Sequence, residues 1–160
     1  MAVKVGDAVP DVKLKTTTAE GIQDTTLAER SKGKKIVLFA VPGAFTPLCS
    51  AQHLPGFIDK AADFRAKGVD EIVCLSVNDP FVMDAWSQDR VAGDKVTLVA
   101  DGVADFTKAM GLEMDASGAG LGIRSQRYAA VIEDGVITKL AVEEPMKFEV
   151  SSAEAVLADL

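Results

Sequence analysis

Lys35-Ile36-Val37-Leu38-Phe39-Ala40-Val41 is an unbroken apolar run rich in branched residues, and it leads directly into Pro42-Gly43-Ala44-Phe45-Thr46-Pro47-Leu48-Cys49-Ser50. A run with no polar alternation suits a central strand buried on both faces. Glu71 to Val77 (EIVCLSV) repeats the pattern, and Lys95 to Ala100 (KVTLVA) is similar. Helical patterns separate the three. Ser50 to Lys67 carries apolar residues at helical spacing, with a kink expected at Pro55-Gly56. Asp79 to Arg90 and Ala104 to Met110 read as further helices. Tyr128 to Ile132 and Val136 to Val142 flank Glu133-Asp134-Gly135, a hairpin signal. Ser151 to Leu160 opens on Ser151-x-x-Glu154, a capping-box pattern before an apolar helix. The order predicts a three-layer α/β domain with a mixed central sheet flanked by helices. A thioredoxin-like sandwich fits it, while flavodoxin-like folds share the first half. With no repeat or linker, residues 1–160 read as a single domain.

Composition narrows the function classes. The chain has 160 residues, 48% hydrophobic and 26% charged, which is the profile of a globular domain with a sizeable core. A net charge of -7 without a Lys/Arg cluster argues against nucleic acid or an anionic membrane surface as a partner. No apolar run approaches the roughly 20 residues of a membrane span. Met1 to Pro10 lacks a signal core, so a cytoplasmic protein, or the mature form of an imported one, is expected. Cys49 and Cys74 are too few for a disulfide framework and form no Cys-x-x-Cys. The single histidine, His53, leaves at most three soft ligands with the cysteines, one short of a structural zinc site.

The segment after the first central strand lies where open α/β sheets place their sites, beyond the carboxyl end of a strand. Thr46 suits an N-cap and Pro47 the first helical position, which puts Cys49 in the first turn. First-turn N–H groups lack intrahelical partners and the helix dipole is positive there, so a thiolate is favoured over a thiol. The thiolate is the nucleophile. By local pattern alone, a small buried cysteine behind an ordinary capped helix reads equally well.

The string Pro42-x-x-x-Thr46-x-x-Cys49 resembles the active-site signature of peroxiredoxins. PGAFTPLCS followed by His53-Leu54-Pro55-Gly56 is similar to the type II members of plants and algae. Leu75 to Met83, Ala85-Trp86, Ala100-Asp101-Gly102 and Gly122-x-Arg124-Ser125-x-Arg127-Tyr128 extend the likeness from about Val5 to the C-terminus. The resemblance implies a thiol peroxidase, without cofactor or metal, that reduces hydrogen peroxide and alkyl hydroperoxides. Cys49 would attack the peroxide and become a sulfenic acid. Thr46 would hydrogen-bond near the thiolate and the peroxide, and Pro42 would shield the site from water. Arg127, just before the strand at Tyr128, would hold the thiolate and polarise the peroxide. The Cys49 N–H would add a first-turn donor. Phe45 would wall the substrate pocket, contact a second subunit, or both. Arg124 is expected to be structural. A Cys49–His53 dyad is geometrically open, but packing or an interface is the better reading for His53. A homodimer and a reductant, either glutaredoxin with glutathione or thioredoxin, are the implied partners.

Cys74, inside a central strand, reads as packing. A Cys49–Cys74 disulfide needs Cα atoms within about 7 Å, which a mid-strand residue cannot readily offer to a helix start. Glu143 to Ser152, where internally resolving relatives often carry a cysteine, has none. A one-cysteine cycle with an external thiol is therefore expected. Rival chemistries lack parts. Pro55 stands where a cysteine phosphatase needs Arg, Thr46 where a dithiol exchanger needs Cys, and a papain-like enzyme needs a distant His. A peroxide-sensing redox switch acting on a partner needs the same thiol and stays open as the alternative.

Overall fold

A computed structural model describes residues 2–160. Its framework is a mixed sheet of seven strands in the order β2-β1-β5-β4-β3-β8-β9. The parallel centre is β3 (Lys35–Val41), β4 (Glu71–Ser76) and β5 (Thr97–Ala100). β8 (Tyr128–Glu133) pairs antiparallel with β3, and β9 (Val136–Val142) with β8. The strand residues explain the unbroken apolar runs. Val37, Phe39 and Val41 enter one core, and Ile36, Leu38 and Ala40 the core on the other face. Alternation of side chains puts consecutive residues on opposite faces, so a strand covered on both sides needs apolar residues throughout.

One face carries α2 (Leu54–Asp59), α3 (Ala61–Ala66), α4 (Pro80–Arg90) and α6 (Ala153–Ala158), whose Phe57, Phe64, Trp86 and Val156 share a core with Phe39. The other face carries α1 (Leu27–Arg30) and α5 (Asp105–Met110), through Leu27, Phe106 and Met110. This is the expected three-layer, thioredoxin-like arrangement. None of the described helices is long and apolar enough to cross a membrane.

Four local details differ from the sequence reading. An N-terminal hairpin, β1 (Leu14–Thr18) and β2 (Gly21–Thr25), extends the sheet beyond β5. Its residues are largely polar because it forms the edge, and only Leu14 and Thr16 are buried. A second small hairpin, β6 (Glu113–Asp115) with β7 (Ile123–Ser125), stands apart from the main sheet. The irregularity assigned to Pro55-Gly56 falls one turn earlier, as a π-helical segment at Cys49–His53. There the Leu54 N–H donates to the Cys49 carbonyl, five residues back. Proline has no N–H, so Pro55 cannot bond the Ala51 carbonyl, and the preceding turn widens. Finally, the cap of the last helix is Ser152, which accepts from the Ala155 N–H at 3.1 Å, and not Ser151. The Ser151 hydroxyl instead donates to Glu143 at 2.7 Å.

Candidate active site

Pro42 to Ser50 follows β3, and its shape is set by neighbours. The Asn78 side-chain oxygen, just past β4, accepts from the Ala44 N–H at 3.0 Å and from the Ser76 hydroxyl at 2.5 Å. Phe45 is left-handed at φ 64, which sharpens the turn before Thr46. The Thr46 hydroxyl donates back to the Gly43 carbonyl at 2.7 Å, so its proton is committed and its lone pairs stay free to accept. It precedes the helix as expected, but without serving as a side-chain cap. On the far side, Trp86 of α4 donates to the Ser50 hydroxyl at 2.8 Å, which ties the helix start to the core.

Cys49 opens the π segment and is fully buried. Arg127 reaches it from the opposite side of β3. Ala40 pairs with Tyr128, so Arg127 lies just beyond the strand end from which the Pro42 loop departs. Its Nη2 donates to Cys49 Sγ at 3.1 Å, and its Nη1 lies 2.7 Å from His53 Nδ1. Both nitrogens of the His53 ring are thereby defined. A guanidinium only donates, so Nδ1 carries the lone pair. The proton is on Nε2, which donates to the Ser151 carbonyl at 2.9 Å. His53 therefore meets Arg127 and not Cys49, and a Cys–His dyad is replaced by a Cys–Arg–His line.

Apolar rings flank the His53–Arg127 pair. The Phe148 ring lies 4.9 Å edge-on from His53 and 5.8 Å from the Arg127 guanidinium carbon. Phe39 stands 4.9 Å from the His53 ring on the sheet side. Sequence reasoning did not single out Phe148. Nothing local in the segment from Glu143 to Ser152 marks Phe148 as a neighbour of Arg127.

The remaining candidates are placed as follows. Pro42 is half-buried, and its carbonyl accepts from Arg124 Nη1 at 3.3 Å. Arg124 Nε also donates to the Leu121 carbonyl at 2.9 Å, so Arg124 braces the loop from behind, as expected. Gly43 makes room for it, since a Cβ there would stand 2.9 Å from Arg124 Nη1. Phe45 is exposed, with its ring 6.4 Å from that of Trp86. Cys74 is fully buried in β4, in the same core as Cys49, and burial pushes its thiol well above the ordinary range. Among the described residues no cluster of His, Cys, Asp and Glu suits a metal ion. A cleft of about 440 Å³ lies at the other end of the sheet, around Arg30, Glu71, Lys95 and Thr97. It contains no cysteine, and its Arg30 is paired with Glu71 at 2.8 Å.

His53 also gives the fold a pH dependence. Burial, and then the adjacent Arg127 charge, lower its pKa to about 3. The unfolded chain takes up this proton below about pH 6.5 and the folded one does not. Stability therefore falls as pH drops below that value. At about 1.4 kcal/mol per unit, the protein should be about 2 kcal/mol less stable at pH 5 than at pH 7. Urea unfolding at the two values checks this, and His53→Gln should remove the difference.

Comparison with known proteins shows the family. The redoxin family model matches residues 4–157. Peroxiredoxin-2E-2 of Oryza sativa, a chloroplastic protein, is 52% identical over 99% of this chain and 72% of its own. Peroxiredoxin-2B of Arabidopsis thaliana is 46% identical over 99% of this chain and 98% of its own. The crystal structure of reduced Prx3 from Vibrio vulnificus in complex with hydrogen peroxide superposes with a TM-score of 0.95, at 52% identity over 98% of each chain. The chain thus belongs to the redoxin family and, within it, to the peroxiredoxins, which are thiol peroxidases.

Proposed function

We propose that Cys49 is the attacking thiol and that hydrogen peroxide and alkyl hydroperoxides are the substrates. The observation that carries this reading is the fork of Arg127, with one arm on Cys49 Sγ at 3.1 Å and the other on His53. A guanidinium in contact with sulfur favours the thiolate. The thiolate attacks the terminal peroxide oxygen, an S–O bond forms and the O–O bond breaks. Sulfur loses two electrons and becomes a sulfenic acid, while the departing oxygen takes a proton and leaves as water or an alcohol. Arg127 is oriented to stabilise charge on that oxygen. Thr46, whose own proton is held by Gly43, accepts the peroxide O–H, and Pro42 limits water at the sulfur.

The sulfenic acid is then attacked by an external thiol, which releases water and leaves a mixed disulfide. A second thiol frees Cys49. Glutathione with glutaredoxin, or thioredoxin, fills this role. Cys74 is ill-suited to it, because burial disfavours its thiolate. Since Cys49 is 0% exposed, the helix start must open for a protein or tripeptide thiol to reach it. The protein acts as one domain over residues 1–160, as a homodimer in the cytoplasm or an organelle lumen, with Phe45 beside the substrate or at the subunit contact.

Mass spectrometry after one equivalent of peroxide should find one added oxygen at Cys49 and no Cys49–Cys74 bond. Peroxide consumption should then turn over repeatedly with excess glutaredoxin and glutathione, or with thioredoxin. An internal disulfide would refute the one-cysteine cycle. A single stoichiometric oxidation under both reductants would favour a redox switch over a peroxidase.

A further inference from the structure

Glu143 follows β9 directly, and its backbone N–H donates to the Arg127 carbonyl at 2.9 Å. Its side chain is buried at 6% exposure, an unusual place for a carboxylate. One oxygen, Oε2, accepts four hydrogen bonds: from the Glu149 N–H at 2.8 Å, the Val150 N–H at 2.9 Å, the Ser151 N–H at 2.8 Å and the Ser151 hydroxyl at 2.7 Å. Three consecutive backbone donors converging on one anion form a nest. Burial works against the charge, but the bonds from Ser151, Glu149 and Val150 outweigh it and hold the carboxyl below its usual range.

The nest fixes Ser151 by its N–H and its hydroxyl. The Ser151 carbonyl is what holds His53 Nε2, at 2.9 Å. His53 Nδ1 takes one arm of Arg127, and the other arm reaches Cys49 Sγ. Donors therefore run outward from the guanidinium in two directions, to sulfur at one end and through His53 and Ser151 to the Glu143 carboxylate at the other. His53 cannot move without losing either the carbonyl or the arginine. The same loop carries Phe148, which packs against both His53 and Arg127.

We propose that Glu143 is a positioning residue for the Cys49–Arg127 pair: by clamping Ser151 it fixes the tautomer and place of His53, and through them the aim of Arg127 at Cys49 Sγ. The proposal rests on Cys49 being the attacking thiol.

The direction of a shift separates this role from two simpler ones. Were Glu143 only a nearby negative charge, removing it would ease thiolate formation and move Cys49 reactivity to lower pH. A mere pin for the loop would lower the melting temperature and leave reactivity unchanged. A positioning role moves reactivity to higher pH. The experiment is iodoacetamide alkylation of the Cys49 peptide against pH, read by mass spectrometry below the melting temperature of each variant. Glu143→Ala should shift the midpoint upward by about one pH unit, the low end for loss of a close opposite charge. Its reaction with hydrogen peroxide should slow by up to about tenfold at pH values below the wild-type midpoint, and by less above it. Glu143→Gln, which keeps an acceptor oxygen, and Ser151→Ala, which keeps the backbone bonds, should give smaller shifts of the same sign. These two carry the test if Glu143→Ala fails to fold. Glu144→Ala, next door but exposed, should match the wild type. Curves for the Glu143 and Ser151 variants that superpose on the wild type, or move to lower pH, overturn the proposal. The alkylation curves decide it without peroxide, whereas peroxide consumption by the wild type decides the role of Cys49.

Discussion

Replacing Cys49 by serine should abolish peroxide turnover, leaving only the rate seen without protein. The substitution exchanges sulfur for oxygen at nearly constant shape. Arg127 Nη2, 3.1 Å from sulfur, can donate to a hydroxyl as well as to a thiolate, so the buried serine keeps a partner and the fold should survive. What disappears is chemistry. A hydroxyl does not ionise near neutral pH even beside a guanidinium, and among the described residues no second base hydrogen-bonds this position, since the lone pair of His53 Nδ1 is taken by Arg127. Cys74→Ala supplies the contrast. It removes a thiol that burial already keeps protonated, and the small cavity left in the core costs about 1 kcal/mol or slightly more. Turnover should stay near the wild-type rate. Peroxide consumption by Cys49→Ser, with loss of activity in Cys74→Ala, would transfer the nucleophile to β4 and defeat the proposed mechanism.

Arg127→Gln should lower kcat/KM for hydrogen peroxide by about 10²–10³-fold, or about 3–4 kcal/mol of transition-state stabilisation. Two separable losses contribute. The thiolate loses its adjacent positive charge, so alkylation of Cys49 should move to higher pH. The developing charge on the departing oxygen loses an oriented donor. Measuring the peroxide rate above the shifted alkylation midpoint distinguishes them: the first loss vanishes there and the second persists. Arg127→Lys sharpens the comparison. Lysine restores a charge, but a single ammonium cannot span Sγ and His53 Nδ1 as the planar fork does. It should recover part of the ionisation effect and little of the rate. A loss confined to low pH in both variants would limit Arg127 to ionising the thiol.

Much of the frame was legible in the chain itself. The strands of the sheet centre announce themselves because both their faces are buried, which leaves no alternation to misread. The edge hairpin β1–β2 escaped for the opposite reason: most of its residues are polar and exposed, and Leu14 with the polar Thr16 leaves no apolar period. Ser151 and Ser152 show the limit of a local rule. The capping-box spacing points to Ser151, yet its hydroxyl is engaged by Glu143, distant along the chain, and Ser152 caps the helix.

The site divides along the same line. Sequence alone determined that Cys49 opens a helix behind a central strand, with Pro42 and Thr46 beside it, because spacing along a strand, turn and helix is a local matter. It also determined, through the resemblance, that Arg127 belongs with them. Only the tertiary structure decided how Arg127 is used. Its two arms reach residues 49 and 53, and that reach depends on the register of β8 against β3, which sets Arg127 beside the end of β3. The same holds for the line from His53 through Ser151 to Glu143. Its members come from a helix, a loop and a strand end, and hydrogen bonds of about 3 Å join them only after the sheet has brought those elements together.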